Sequence, residues 1–387
     1  MNWRNGARNL PQLETRMKIG NAIGIVGIFL ATSGSAQTTL KDAFKNDFLV
    51  GAALNEAEFT GQNSNAAALV RAQFNTISPE NVLKWESVHP QPDQYDFSAA
   101  DHYVQFGRSN GMFIVGHTLV WHSQTPNWVF ADAQGHPVDR DTLLARMRDH
   151  ISTVVGRYRG KVGGWDVVNE ALNEDGTLRE SAWEKIIGED YLLKAYQFAH
   201  EADPQAELYY NDFSLENTPK RNGAIALIKK LQAQGVHIAA VGLQGHYKMD
   251  WPTPRQVGET IGAFSRLGVK SMITEFDMDV LPAATKSQAA EVSMNFALSA
   301  ELNPYTNGLP DSVQQKLAQR YADLFTVLVK HHAQVRRVTF WGVTDEDSWL
   351  NNWPVKNRTA YPLLFNRDGR PKPAFNAVIQ ASRHSDP

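Results

Sequence analysis

Short apolar runs rich in β-branched and aromatic residues alternate along the chain with longer amphipathic stretches. The runs suit buried strands, and the stretches between them are typical of helices that cover a sheet. The predicted strands are residues 48–54, 74–78, 113–121, 164–169, 207–211, 238–244, 270–275 and 337–343. Strands that alternate with helices in this way predict parallel βα units.

The stretches between the strands have the hydrophobic periodicity of helices, together with residues that typically begin and end a helix. After the third strand, apolar residues three or four positions apart form one helical face: Leu143, Leu144, Met147, Ile151, Val154, Val155 and Tyr158. Before the seventh strand, Thr253 is suited to cap a helix with Pro254 at its first position, and Gly268 is suited to end it. The two kinds of element therefore alternate throughout.

Eight strands joined by helical crossovers most simply close into a (β/α)8 barrel, although a doubly wound open sheet uses the same local units. Beyond residue 40, the sequence has no linker rich in Pro, Ser or Thr, no low-complexity tract and no short-period repeat. We therefore predict one domain, a (β/α)8 TIM barrel, over residues 37–387.

Composition narrows the functions open to such a domain. Hydrophobic residues make up 42% of the 387 residues, which supplies a large core, and the formal net charge is −3. Without a dense basic stripe, the chain is not suited to bind the phosphate backbone of nucleic acid. It has no cysteine, which excludes disulfides, a thiol nucleophile and thiolate metal ligands.

The amino terminus has the pattern of a secretory signal. Arg16 and Lys18 precede an apolar stretch at residues 22–31, and small residues then lead to Ala36. The apolar stretch is only about half as long as the ~20 residues that a membrane-spanning helix needs. We predict that residues 1–36 are removed and that the mature protein is secreted, extracellular or periplasmic, and not bound to a membrane.

Two of the predicted strands end at a glutamate or directly before one. The fourth, in "GGWDVVNEALNEDG", leads to Glu170, and the seventh, in "SMITEFDMD", ends at Glu275. In a (β/α)8 barrel, the carboxyl ends of the strands meet at one face, where active sites form. Either glutamate alone is more simply explained as a helix cap or as the partner of an arginine. Two at the same face are suited to act on one substrate.

Other strand ends carry polar and aromatic residues that a barrel core does not require. "PENVLKWE" follows the second strand, "GHTLVWHSQTP" ends the third, "GLQGHY" the sixth and "FWGVTDEDSWL" the eighth. These residue types around one cleft suit a sugar, because its hydroxyl groups need directional hydrogen bonds and its C–H faces stack on aromatic rings. Cleavage of a glycosidic bond uses two carboxyl groups, and Glu170 and Glu275 fit that requirement.

Other kinds of catalytic site are not indicated. His117 and His122 have the wrong spacing for one helical face and lack a nearby acidic cluster, so no metal site is predicted. HExxH, GxSxG, phosphate-loop and dinucleotide motifs do not occur at the strand-to-helix junctions. We predict an enzyme that uses no metal and no cofactor.

The quoted strand-end segments, taken in their order along the chain, resemble those of endo-β-1,4-xylanases of glycoside hydrolase family 10. The resemblance runs from about residue 40 to about residue 383 and rests on "PENVLKWE", "GHTLVWHSQTP", "WDVVNEAL", "ITEFD" and "WGVTDEDSWL". It implies a retaining endo-1,4-β-xylanase whose partners are xylan and xylo-oligosaccharides, and we expect a monomer. The alternatives are a β-1,4-glucanase on the same barrel and a sugar-binding protein that has lost hydrolysis.

The resemblance also assigns the catalytic roles. Glu170 matches the acid/base and Glu275 the nucleophile of a double displacement, for which the carboxyl groups lie about 5–5.5 Å apart. Asn169 resembles the residue that holds the sugar 2-hydroxyl group. His246 resembles the imidazole that orients the nucleophile, with Asp277 as its partner. These three residues are expected to support catalysis.

The other matches to the family pattern bind substrate: Glu80, Asn81, Lys84, His117, Trp121, Gln124, Gln244, Trp341 and Trp349. Gln124 resembles a residue that crowds the space where glucose carries its hydroxymethyl group, which favours xylan over cellulose. One departure is Phe213, which stands where relatives often have tyrosine.

Overall fold

A computed structural model describes residues 38–285 and 293–385. The predicted secretory signal, residues 1–36, lies outside the described residues. Within the two described ranges, none of the helices combines the length and the apolar character needed to cross a membrane.

The described residues contain nine strands, and eight of them close into a barrel. The strands are β1 (Leu49–Leu54), β2 (Thr76–Pro79), β3 (Phe113–Val120), β4 (Gly164–Asn169), β5 (Glu207–Asp212), β6 (Ala240–Leu243), β7 (His246–Lys248), β8 (Lys270–Asp279) and β9 (Val335–Phe340). Neighbouring strands are parallel, in the order β1, β2, β3, β4, β5, β6, β8, β9, and β9 pairs back with β1. The short β7 pairs with the carboxyl-terminal part of β8. The predicted (β/α)8 barrel is confirmed, and the open sheet is wrong.

Helices fill the connections between the strands. They are α1 (Leu40–Ala43), α2 (Glu56–Phe59), α3 (Ser64–Gln73), α4 (Trp85–Val88), α5 (Ser98–Ser109), α6 (Arg140–Arg157), α7 (Ala182–Ile187), α8 (Tyr191–Ala202), α9 (Thr218–Ala233), α10 (Pro254–Ser265), α11 (Asp311–Lys330) and α12 (Pro373–Ala381). Short 3-10 helices occur at Asn127–Val129, His332–Gln334, Trp349–Asn351 and Ser382–Ser385. As predicted, Thr253 caps α10, and its hydroxyl accepts a hydrogen bond from the backbone N–H of Gln256.

All eight predicted strands are present, and the largest differences from the observed bounds have causes that the structure shows. The predicted strand 164–169 coincides with β4. The predicted strand 270–275 is four residues too short, because β8 continues to Asp279 where β7 pairs with it. The predicted strand 337–343 extends three residues too far, because the chain leaves the ladder after Phe340 and turns at Gly342, where φ is +124°.

The interior of the barrel is packed on the side away from the carboxyl ends of the strands. Val115, Tyr209, Ala240 and Met272 form an apolar cluster separate from the larger core between barrel and helices. The buried Arg337 guanidinium lies 5.6 Å from the centroid of the Tyr209 ring and donates to the Met272 sulfur. Because this layer fills the barrel, the polar strand ends form the floor of a cleft on the other side.

Candidate active site

The carboxyl ends of the strands surround one cleft, and thirteen of the sequence-predicted site residues line it. These are Glu80, Asn81, Lys84, His117, Trp121, Gln124, Asn169, Glu170, Gln244, His246, Glu275, Trp341 and Trp349. Asp277, the remaining predicted residue, stands behind His246 and accepts a hydrogen bond from it. The structure therefore brings all of the predicted site residues together.

Glu170 follows β4 directly, at a sharp turn of the backbone where its φ is +57°. Its side chain is buried at the cleft floor and is held by three donors. The Trp121 indole Nε1 donates to Oε2 at 2.8 Å, and the Gln244 amide donates to Oε1 at 2.9 Å. The Asn169 amide also approaches Oε1, at 3.2 Å. The carboxyl group of Glu170 is therefore fixed in one orientation.

Glu275 lies on β8, across the cleft, and is held from two sides. The Asn211 amide donates to Oε1 at 2.7 Å, and His246 Nε2 lies 3.1 Å from Oε2. The other ring nitrogen of His246 lies 3.0 Å from Asp277 Oδ2, which also accepts from the Trp349 indole at 2.6 Å. Burial acts to lower the pKa of His246, but Asp277 and Glu275 overcome it and raise that pKa to about 10. The imidazole is therefore a cation at neutral pH and donates to both carboxylates.

The two glutamates have pKa shifts in opposite directions. Burial raises the pKa of Glu170, and the negative charge of Asp212 adds to this, while His122 opposes it. Burial also acts to raise the pKa of Glu275, but the hydrogen bond and positive charge of His246 outweigh burial, so that the pKa is lowered. One carboxyl group thus favours the protonated form and the other the ionised form, which is the division of roles that acid catalysis beside a nucleophile requires.

A chain of amide hydrogen bonds connects the two glutamates beneath the cleft. Asn169, beside Glu170, accepts at its Oδ1 from the Asn211 amide at 2.9 Å, and the same amide group donates to Glu275. Asn211 crosses β6 to reach β8, and it does so over Gly242. A Cβ atom at Gly242 would lie 2.1 Å from Asn211 Oδ1, and that oxygen accepts from the Thr274 hydroxyl at 2.6 Å. Glycine at this position is what gives Asn211 its room.

One corner of the cleft combines charged and amide groups around Lys84. Its ammonium donates to Asn81 Oδ1 at 2.9 Å and to Gln124 Oε1 at 2.7 Å. The Gln124 amide donates in turn to Glu86 at 2.7 Å. Burial lowers the pKa of Lys84, and it raises that of Glu80 to about 7 although Lys84 opposes the change. This corner offers donors and acceptors to hydroxyl groups.

Aromatic rings form the facing wall. Trp341 meets the imidazole rings of His117 and His246 edge-on, at centroid distances of 5.6 and 6.2 Å. Trp349 stacks on Trp353 at 4.3 Å, which fixes the indole that donates to Asp277. Rings beside polar groups suit a carbohydrate. In residues 38–285 and 293–385, no group of three or more histidines and carboxylates is arranged to hold a metal ion.

Two residues that matter to this geometry were not predicted. Asn211 is the last residue of a predicted strand, so its position at a strand end, the feature that indicated Glu170 and Glu275, was sufficient to find it. Asp166 lies within β4 and pairs with His117 Nδ1 at 3.0 Å, and its position in the middle of an apolar run gave no signal. Trp85, one of the strand-end aromatic residues in the sequence, lies in the core instead and stacks on His150 at 3.7 Å.

Together, the barrel and the paired carboxyl groups define a glycoside hydrolase. The family model of Glycosyl hydrolase family 10 matches residues 39–381. The chain belongs to this family.

Close relatives agree over most of the chain. Endo-1,4-beta-xylanase A of Xylanibacter ruminicola is 42% identical over 358 residues, which are 92% of this chain and 97% of that protein. Beta-1,4-xylanase of Dictyoglomus thermophilum is 41% identical over 344 residues, 88% of this chain and 90% of that protein. Among solved structures, a novel GH10 endoxylanase retrieved from sugarcane soil metagenome has a TM-score of 0.86 and 45% identity, covering 88% of this chain and 99% of that one.

Proposed function

We propose that this enzyme is a retaining endo-1,4-β-xylanase in which Glu170 is the acid/base and Glu275 is the nucleophile. The observation that carries the proposal is a pair of buried carboxyl groups in one cleft whose pKa values are shifted in opposite directions. The names of the family relatives, which are xylanases, support the choice of substrate.

The proposed reaction has two steps. In the first, the ionised Glu275 attacks the anomeric carbon while Glu170 gives its proton to the leaving glycosidic oxygen, and a covalent glycosyl-enzyme forms. In the second, Glu170 takes a proton from water, and the water oxygen displaces Glu275 from the sugar. Two inversions give net retention. This route requires the carboxyl groups to be about 5–5.5 Å apart, which allows direct attack on carbon.

Several neighbours are proposed to serve these steps. His246 and Asp277 keep Glu275 ionised and aimed at the anomeric carbon. Asn169 holds the sugar 2-hydroxyl group, and the Asn211 amide fixes its orientation through a 2.9 Å hydrogen bond. A bond to this hydroxyl group that strengthens in the transition state contributes to the rate.

We propose xylan rather than cellulose because of the corner around Gln124. Its amide is hydrogen-bonded at both ends, to Lys84 and to Glu86, each at 2.7 Å. The side chain therefore cannot move aside without breaking a hydrogen bond to the buried ammonium of Lys84, worth about 1.5–3 kcal/mol, and a weaker one to the exposed Glu86. It is proposed to occupy the space that a glucose hydroxymethyl group needs, while xylose, which lacks this group, fits. The other substrate-binding residues proposed are Glu80, Asn81, Lys84, His117, Trp121, Gln244, Trp341 and Trp349.

We also propose that residues 1–36 are a secretory signal, that residues 37–387 form the catalytic domain, and that the secreted enzyme is a monomer. The amino-terminal pattern of Arg16, Lys18 and the apolar stretch supports secretion. The mass and amino-terminal sequence of the exported protein test the cleavage site, and light scattering tests the oligomeric state.

The activity is tested by incubating the mature protein with xylan and with soluble cellulose while following reducing ends and viscosity. We expect xylan hydrolysis with a rapid fall in viscosity, because internal bonds are cut, and a β-anomer as the first product by NMR. Hydrolysis of cellulose alone, or an α-anomer, would overturn the proposal.

The nucleophile is tested by Glu275→Gln, which keeps the shape but cannot attack carbon. We expect xylo-oligosaccharide binding to remain and turnover to fall by at least about a thousandfold. Glu259→Gln, an exposed site on α10, is the matched control. Turnover of the Glu275 variant within tenfold of the control would dismiss the assignment.

A further inference from the structure

Beside the cleft lies a buried ion cluster that the proposed reaction does not use. The ammonium of Lys220, on α9, is fully buried and lies 3.0 Å from Asp212 Oδ1 and 3.1 Å from Glu174 Oε1. It also lies 3.4 Å from the centroid of the Phe213 ring. Burying an ion pair costs solvation that its attraction does not always return, so a cluster of this kind raises the question of what it serves.

Asp212 is the neighbour of Glu170 at the ends of adjacent strands. It is the last residue of β5, and the preceding residue, Asn211, pairs with Asn169 of β4. The backbone N–H of Glu170 donates to the Asn211 carbonyl at 2.9 Å. The Asp212 carboxylate is also fixed, because its Oδ2 accepts from the Tyr210 hydroxyl at 2.5 Å. A negative charge is thus held at a defined place beside the carboxyl group of Glu170.

Lys220 also ties down the segment that follows Glu170. Residues 171–179 form a hairpin that carries Glu174, which accepts hydrogen bonds from Lys220 and, at 3.2 Å, from the Asn217 amide. The hairpin backbone packs directly on α9, since a Cβ atom at Gly176 would lie 2.4 Å from the Pro219 carbonyl oxygen. One lysine therefore joins the end of β5, the hairpin after β4 and the start of α9.

We propose that the Asp212–Lys220 ion pair is a positioning unit for Glu170, which anchors the hairpin that follows it and holds a negative charge beside its carboxyl group. This inference rests on the proposed acid/base role of Glu170. Lys84 and His122 also act on Glu170, and Arg179 donates to its backbone carbonyl. The other titratable groups in the same cleft are Glu80, His117, His246 and Glu275. The negative charge of Asp212 raises the pKa of Glu170, and the positive charge of Lys220 partly offsets this effect.

The sign of the effect can be measured in the pH dependence of kcat/KM. A general acid must be protonated, so activity falls as pH rises through the pKa of Glu170, which defines the alkaline limb of the profile. Asp212→Asn removes the negative charge, keeps the shape and leaves Glu174 as the ion-pair partner of Lys220, with the buried Glu216 also within reach of its charge. We expect the alkaline limb to move to lower pH by about one unit.

The charge-neutral double variant Asp212→Asn/Lys220→Met is the matched control. It removes both charges, and the methionine keeps most of the lysine volume over the Phe213 ring. We expect its alkaline limb to lie between those of Asp212→Asn and the unaltered enzyme. With an aryl xylobioside whose dinitrophenol leaving group needs no acid, the alkaline limb set by Glu170 should be absent from the unaltered enzyme and from every variant.

Clear outcomes would overturn the inference. An Asp212→Asn profile that matches the unaltered enzyme, or a double variant shifted as far as the single one, excludes the electrostatic role. Should Asp212→Asn fail to fold, the partly exposed Glu174→Gln is expected to move the limb in the same direction by a smaller amount, and an unmoved limb refutes the proposal. The proposed function fails separately, when the unaltered enzyme leaves xylan intact or shows no alkaline limb.

Discussion

The contact between His246 and Glu275 makes a quantitative prediction about Asp277. The imidazole bridges the two carboxylates, at 3.1 Å from Glu275 and 3.0 Å from Asp277. Asp277→Asn removes the charge behind the imidazole and keeps the size of the side chain. Its amide oxygen can still accept from the Trp349 indole, so the geometry of the wall is preserved.

The magnitude follows from the pKa of His246. The two carboxylates raise it from 6.5 to about 10 against the effect of burial, and Asp277 contributes more than Glu275. At about 1.4 kcal/mol per pH unit, this is a preference of about 5 kcal/mol for the imidazolium. Without Asp277 we expect His246 to titrate near its ordinary pKa. Above that pH, Glu275 faces a neutral donor instead of a charged one, and the hydrogen bond that aims the nucleophile weakens by about 1–2 kcal/mol.

The assay is the pH profile of kcat/KM on an aryl xylobioside whose dinitrophenol leaving group needs no proton from Glu170. The nucleophile must be ionised, so the acid limb of the profile follows the pKa of Glu275. In the variant, His246 is still protonated at the pH of that limb and loses its proton only as the pH rises through about 6.5. We therefore expect kcat/KM of Asp277→Asn to fall about tenfold through that range, a step that the unaltered enzyme should not show.

Asp279→Asn is the matched control. Asp279 lies two residues further along β8 and contacts Arg358 at 3.4 Å instead of the imidazole, so its variant should lack the fall near pH 6.5. The reasoning fails if Asp277→Asn shows no larger fall in kcat/KM than the control between about pH 5.5 and about pH 8, since the weakened hydrogen bond should cost about tenfold.

Three further predictions concern other contacts. Trp121→Phe removes a donor that lowers the pKa of Glu170, so the alkaline limb of kcat/KM should move to higher pH by about one unit; a shift to lower pH contradicts this. Gly242→Ala places a Cβ atom 2.1 Å from Asn211 Oδ1, so kcat should fall by about a hundredfold, and an unchanged kcat would show that Asn211 is not needed. Burial lowers the pKa of His150, so the unfolded state takes up a proton that the folded state refuses. The contribution of neutral His150 to the free energy of unfolding is therefore fully present above about pH 6.5 and is lost as pH falls below that value. His150→Phe keeps the stack on Trp85, so its melting temperature should fall less between pH 8 and pH 5 than that of the unaltered protein.

The sequence predicted the barrel and most of the cleft because both depend on local patterns. Each strand is a short apolar run, and in a parallel barrel the position of a strand end is enough to place Glu170 and Glu275 at the same face. The predicted strand bounds were less accurate where strand pairing is set by tertiary structure. The extension of β8 to Asp279 depends on β7, three residues that no local pattern identifies as a strand.

The parts that the sequence did not predict are contacts between residues far apart in the chain. Lys220 lies on a helix in a stretch with other basic residues, and nothing local distinguishes it from a solvated lysine. Only the fold brings it against Asp212 and Glu174 and removes it from water. In the same way, the role of Gly242 is visible only when Asn211 crosses above it to Glu275.

The amide chain beneath the cleft runs from β4 through β5 to β8, so every link in it belongs to the barrel wall. The distance between the two glutamate side chains is consequently set by the tilt and stagger of the barrel strands and does not depend on the loops above them. The loops determine which branches and chain lengths of a polymer can bind. Their sequences can therefore change without altering the geometry of the catalytic carboxyl groups.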